Sequence, residues 1–102
     1  MITITFVVDN MPPWKQSPAD EAERDRQVER KESLQRKAKK AFRVGTLLST
    51  PCAVSICYSR SKGGSDSANI IGGVLDSLEN IIFKNDSQVV EIYYIEWPGE
   101  RD

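Results

Sequence analysis

Two aspartates stand where loops meet regular structure. Asp66 follows a Gly-rich loop at the start of an apolar helix, and Asp86 sits in a turn just before a strand. Loop ends are where sites form, and clustered carboxylates there can hold a metal that activates water. The simpler chemistry is local: Asp66 or Ser67 as a helix N-cap, and Asn85-Asp86-Ser87 as turn residues. Asp76 and Glu79, three apart on the polar face of that helix, read as a solvated face rather than an acid/base pair. The 102 residues include no histidine, which excludes a His-bound zinc, a His general base and a Ser-His-Asp triad. Hydrolytic chemistry has to come from carboxylates, lysines or a metal. Cys52 and Cys57, the only two cysteines, form neither a CxxC pair nor a disulfide framework and read as small core residues.

The elements that position these acids follow from periodicity. Residues 2–8 alternate, with Ile2, Ile4, Phe6 and Val8 on one face, which predicts a strand. Met11-Pro12-Pro13-Trp14 stops it. Ser17-Pro18-Ala19-Asp20 predicts a helix start, with Ser17 as cap and Pro18 where its missing N–H does no harm. That helix should run to about Arg43, with Gly45 as terminator. Its apolar residues concentrate at Leu34, Ala38, Ala41 and Phe42, so its C-terminal half is the part that packs. Pro51–Tyr58 is apolar on both faces and predicts a central strand. Ile70, Ile71, Val74, Leu75, Leu78, Ile81 and Ile82 fall at helical spacing and define an amphipathic core helix. A turn at Lys84-Asn85-Asp86-Ser87 leads to a last strand from Gln88 to Trp97, ended by Pro98-Gly99. The expectation is a single α+β domain over residues 1–102, in the order β-α-β-α-β, with a mixed sheet of three or more strands and two helices. The core helix spans about sixteen residues, roughly 24 Å. A metal shared by Asp66 and Asp86 therefore requires curvature through the loops or a second subunit.

Charge narrows the partners. Fourteen Lys+Arg against fifteen Asp+Glu give a net charge of −1, which rules out a histone-like basic field. Only a local patch can meet nucleic acid. From Arg30 to Arg43 seven bases face Glu32 alone, a balance of +6, and Arg60 and Lys62 lie in the loop beside Asp66. That is enough for a handful of phosphate contacts; the alternative is a solvated helix face matched to the helix dipole, with acids at its start and bases at its end. Trp14 and Trp97 either stack on bases or cover the ends of the core. No apolar run approaches the ~20 residues of a membrane span, and the N-terminus lacks a signal-peptide pattern, so the cytoplasm is the expected compartment.

Asp66-Ser67-Ala68-Asn69, then Leu75-Asp76-Ser77-Leu78, then Asn85-Asp86-Ser87-Gln88-Val89-Val90-Glu91 resembles the signature of the RusA family of Holliday junction resolvases. That signature runs D-x-D-N, a helical D-x-L, then D-D-x-Q-V, with a Pro-Pro turn after the first strand, matched here by Met11-Pro12-Pro13. The resemblance covers most of the chain. It implies an intertwined homodimer that binds branched, four-way junction DNA and hydrolyses phosphodiesters with a divalent metal, usually Mg2+, and RusA-like genes are common in prophages. Carried over by position, Asp66 and Asp86 would be the catalytic acids and metal ligands, with Asn69 and Asp76 supporting them. Arg60, Lys62, Arg36, Lys37, Lys39, Lys40 and Arg43 would be the DNA-binding bases.

Two positions depart from the signature. Ala68 stands where the family has its second aspartate, and Gly72 where it usually has a lysine. Ala cannot bind a metal, and Mg2+ wants oxygen ligands in near-octahedral array. Glu79, about eleven residues or ~16 Å further along the helix, cannot substitute. Gly72 and Gly73 in mid-helix cost about 1 kcal/mol each relative to Ala, which suggests a close backbone approach, with a second subunit as neighbour. Whether the chain is an enzyme stays open. The other readings are a catalytically inactive RusA-like module that binds DNA or protein, and a structural or regulatory protein that uses its long charged helix.

Overall fold

A computed structural model describes residues 3–43, 45–60 and 65–98. Its elements are α1 (Glu21–Ala41), β1 (Cys52–Arg60), α2 (Ser67–Leu78), a short 3-10 turn (Asp86–Gln88) and β2 (Val89–Pro98). The fold is α+β with two helices, as expected, but its sheet has two parallel strands rather than three mixed ones. The difference lies at the N-terminus. Among the described residues 3–8, Ile4, Phe6 and Val8 pack against the core while Thr3, Thr5 and Val7 are exposed, yet no ladder forms. Alternation reports which side chains meet the core; a strand also needs a backbone neighbour.

The α1 helix starts later than Ser17 and ends before Arg43. Its cap is Asp20, whose Oδ1 accepts from the Glu23 N–H at 2.8 Å. Its end is Phe42, which leaves helical geometry and packs on the core, so Gly45 plays no terminating role. Leu34 and Ala38 are buried, as the sparse apolar pattern predicts. Arg30 is buried as well, 9% exposed, with its guanidinium 3.8 Å from the Trp14 ring centroid and 3.0 Å from Glu23. It is a packing residue and not part of the basic surface. Trp14, taken up by this contact, covers the core edge; the side chain of Trp97 lies outside the described residues.

The α2 helix supplies Ile70, Val74 and Leu78 to the core, joined by Leu34 and Ala38 from α1 and by Ile82 and Phe83 from the segment after α2. It stops at Leu78 although the apolar spacing continues to Ile82, because Glu79 turns extended (ψ 132°) and Asn80 follows in the left-handed region with φ 64°, the two central residues of a type II turn. Asn tolerates that region and commonly ends helices there. The Ile82 N–H still reaches the Leu78 carbonyl at 2.9 Å, so Ile82 and Phe83 enter the core from the cap. Gly73 has a specific neighbour: a Cβ would lie 2.5 Å from the Pro13 oxygen and 2.7 Å from Trp14 Cα. The close approach anticipated at mid-helix is thus made by this chain's own Pro13-Trp14 segment, which the Lys15 N–H pins to the Asn69 carbonyl at 2.9 Å.

The parallel ladder runs from Cys52↔Val89 to Arg60↔Pro98, with an irregularity between Cys52 and Ala53. β1 alternates half-buried and exposed residues instead of being covered on both faces. Its uncovered side carries Ala53, Ser55 and Cys57, beside Tyr93 and Ile95 of β2, which are 54% and 55% exposed. Cys57 is therefore exposed and Cys52 only half-buried, neither being a core residue. Among the described residues no helix is long and apolar enough to cross a membrane.

Candidate functional site

Asp66 is the N-cap of α2. Its Oδ1 accepts from the Asn69 N–H at 2.9 Å, and the Asn69 amide donates to Ser65 Oγ at 2.9 Å, closing the first turn around the acid. Ser65, just before it, is held from the sheet. Arg60 Nη2 donates to the Ser65 carbonyl at 2.8 Å, and the guanidinium clasps Glu96 through Nε at 2.8 Å and Nη2 at 3.0 Å. Tyr94 donates its hydroxyl to Glu96 Oε1 at 2.6 Å. The bond from Arg60, then that from Tyr94, holds the Glu96 carboxyl down at about 2. Burial first, then the bond to Glu96, pushes the Tyr94 phenol up to about 12. Arg60, expected to meet phosphate, is instead engaged with Glu96 and Ser65; a planar fork on a carboxylate is its strongest geometry. Lys62 lies outside the described residues. Ala68 is exposed on the first turn of α2.

Asp86 opens the 3-10 turn before β2, with its side chain exposed. Its own N–H donates to Glu79 Oε2 at 3.1 Å, so Glu79 serves the turn rather than a solvated face. Asn85 and Gln88 form a reciprocal cap: Asn85 Oδ1 accepts from the Ser87 N–H, and Gln88 Oε1 accepts from the Asn85 N–H at 3.0 Å. The N-x-x-Q spacing that makes such a box was present in the sequence. Asp76, expected as a supporting residue, pairs with Lys15 across 3.6 Å. The stem of Lys15 lies over Gly72, where a Cβ would come within 3.3 Å of Cδ.

The chain does not bring the two acids together. Asp66 follows the C-terminal end of β1 and Asp86 precedes the N-terminal end of the parallel β2, so they flank opposite ends of the ladder. The twelve residues of α2, roughly 18 Å, lie between them, since Asp66 caps its start and the Asp86 N–H is bonded to Glu79 at its end. Among the described residues no three Cys, Asp or Glu side chains form a group able to hold a metal. Among the described residues, one copy therefore offers Mg2+ too few carboxylates at either acid, and at the Asp66 end Ala68 stands beside it without an oxygen.

The basic residues form a surface. Arg36, Lys37, Lys39, Lys40 and Arg43 are exposed, and none makes an ion pair among the described residues. Gln35 just before them donates to the Ser77 carbonyl at 3.1 Å. This contact puts the stretch on the side of the α2 C-terminus, the end that leads into the Asp86 turn. A cluster of exposed bases without ion pairs among the described residues is what phosphate positioning needs. The arrangement missed by sequence reasoning is the pair of supports: Glu96 for Arg60, which only strand register reveals, and the full set of bonds made by Gln88.

Residues 4–101 match the family model described as Endodeoxyribonuclease RusA. No curated protein and no solved structure matches the chain.

Proposed function

The chain belongs to the RusA endodeoxyribonuclease family, and from that premise we propose that it binds four-way DNA junctions as a homodimer whose cutting centre is completed only between two copies. The family acts in Holliday junction resolution, binds branched DNA and is generally dependent on a divalent metal. The observation that carries the reading is the match over nearly the whole chain. The placement of the acids then sets its form. A two-fold axis across the strands reverses their direction, so the Asp66 end of one copy comes beside the Asp86 end of the other. The uncovered sheet face of Ala53, Ser55, Cys57, Tyr93 and Ile95 is the surface a second copy would cover, since parallel sheets are normally buried on both faces and aromatic side chains are enriched at interfaces.

In this reading Asp66 and Asp86 are the acids of the centre and Mg2+ is the ion it takes. Asn69 holds Asp66, and Asp76 supports the helix through Lys15. Lys62 meets the phosphate next to the cut, while Arg36, Lys37, Lys39, Lys40 and Arg43 track the backbone of a junction arm. Because Ala68 supplies no oxygen, a second reading is favoured at that one position: a family member that binds junctions without cutting them.

A synthetic four-way junction separates these cases. Binding should weaken linearly in log–log salt plots, and Lys39→Glu with Lys40→Glu should lower affinity and reduce the slope by roughly two. Sedimentation should give a dimer. Affinity for the junction no better than for linear duplex, with no salt dependence, would exclude both readings. Ala68→Asp should raise cleavage in Mg2+ if the rest of the centre is intact; a variant that binds junctions and still cuts none selects the binding-only protein.

A further inference from the structure

We infer that Gln88 is a positioning residue that fixes the turn carrying Asp86 and so presents its carboxylate outward; the inference deepens, and rests on, the reading of Asp86 as a functional acid. A primary amide can accept two hydrogen bonds at oxygen and donate two at nitrogen. Gln88 makes all four, each to backbone. Oε1 accepts from the N–H groups of Lys84 at 3.1 Å and Asn85 at 3.0 Å, and Nε2 donates to the carbonyls of Leu48 at 2.9 Å and Thr50 at 3.1 Å. One side chain thereby joins the turn before β2 to the segment that enters β1, across 40 and 38 residues of sequence.

The effect on Asp86 appears when the amides of the turn are followed one by one. Those of Lys84 and Asn85 go to Gln88, that of Asp86 to Glu79, that of Ser87 to the Asn85 side chain, and that of Gln88 to the Asn85 carbonyl at 3.1 Å. Five successive N–H groups are satisfied, and none by Asp86. An aspartate in a turn or at a helix start ordinarily spends its carboxylate on such a group. Asp66 does so; Asp86 does not. Among the described residues its carboxylate makes no hydrogen bond or ion pair, although every backbone amide of the turn around it is bonded. A turn whose amides are all bonded, with its acid unspent, is a mount for an external cation or donor, because the backbone that carries the side chain is held in place before the partner arrives.

The test uses the full chain and compares Gln88→Ala, Gln88→Glu and Asp86→Asn. Gln88→Ala is expected to raise amide exchange at Lys84 and Asn85 by about tenfold or more and to leave Val74 and Leu78 in α2 within about threefold of the parent. Gln88→Glu keeps an acceptor for those two amides and loses the donors to Leu48 and Thr50, so it should restore most of their protection. Asp86→Asn should leave the exchange of all four amides unchanged, since the carboxylate bonds none of them. Mn2+ added alone should broaden the Asp86 signals of the parent and broaden them several-fold less in Gln88→Ala. Unchanged exchange at Lys84 and Asn85, equal losses at Val74 and Leu78, faster exchange in Asp86→Asn, or undiminished Mn2+ broadening in Gln88→Ala would each overturn the inference. If the parent shows no broadening at Asp86, the metal-binding part of the functional reading fails by itself, and the exchange data still decide whether Gln88 holds the turn.

Discussion

The two ends of the parallel ladder carry one acid of the proposed centre each and are held by opposite chemistries. At the end of Asp66 a charged clamp of Arg60, Glu96 and Tyr94 holds Ser65, and the acid itself is spent on capping α2. At the end of Asp86 a neutral amide, Gln88, staples two backbone segments, and the acid is left unspent. Ionic supports respond to pH and salt; amide-to-backbone bonds do not titrate and are screened little. The two halves of one proposed centre should thus fail under different conditions. If the centre forms between copies, each composite site contains one support of each kind.

The largest effect should come from the element joining the two ends. Gly73→Ala forces a methyl to within 2.5 Å of the Pro13 carbonyl oxygen, a backbone atom with no rotamer to yield. Overpacking of this kind costs about 1–3 kcal/mol, offset by the ~1 kcal/mol helix preference of Ala over Gly. A fall in Tm with amide exchange rising together at Asn69 and Asn85 is expected, and selective loss at one end would show that the ends are not coupled through α2.

Acid should separate them. Glu96 is held at about 2 against an ordinary 4.5, so its contribution is complete above about pH 5 and is lost as pH falls toward 2. Exchange at the Asn69 amide should rise relative to Asn85 over that window, and Glu96→Gln should abolish the differential. Glu23, lowered by its bonds to Arg30 and then Arg26, adds a second acid-labile contact on α1, which is why a local probe is needed rather than Tm. A differential of the opposite sign would refute the charged-clamp assignment.

The smallest effects lie at the rim of the clamp. Tyr94 is raised from 10.0 to about 12, so its bond to Glu96 is present below about pH 10 and lost as pH rises through 12. Tyr94→Phe should move the acid midpoint of Glu96 upward by a fraction of a unit, read by carboxyl NMR titration, since Arg60 remains the larger support. Molar salt should shift it in the same direction, and neither change should alter exchange at Asn85.

Much of this was legible in residue types. Asp66 before Ser67-Ala68-Asn69 reads as a cap and is one, because capping needs only a side chain three residues from an unpaired N–H. The α2 face from Ile70 to Leu78 reads as core and is core. What periodicity could not show was Asn80 stopping the helix while Ile82 and Phe83 still enter the core. Nor could it show residues 3–8 lying along the core without joining a ladder, since one requires a φ choice and the other a neighbour. Arg60 illustrates the limit best: a base in a Gly-rich loop suggests phosphate, and only the pairing of Arg60 with Pro98 brings Glu96 close enough to claim it.

Local chemistry was set by the order of residues alone: the caps at Asp66 and Asn85, the helical face of α2, the charge gradient along α1 and the kinship of the whole chain with one nuclease family. The caps and the helical face depend on groups within about four positions of each other, where chain connectivity enforces contact, and the gradient and the kinship on residue order alone. The tertiary structure decided which acid is spent and which is presented, and that both lie at opposite ends of one sheet. Those facts turn on Glu96, Leu48 and Thr50, groups 36 to 40 residues from the side chains they engage, and contacts over such distances exist only after two strands have chosen a common direction and register.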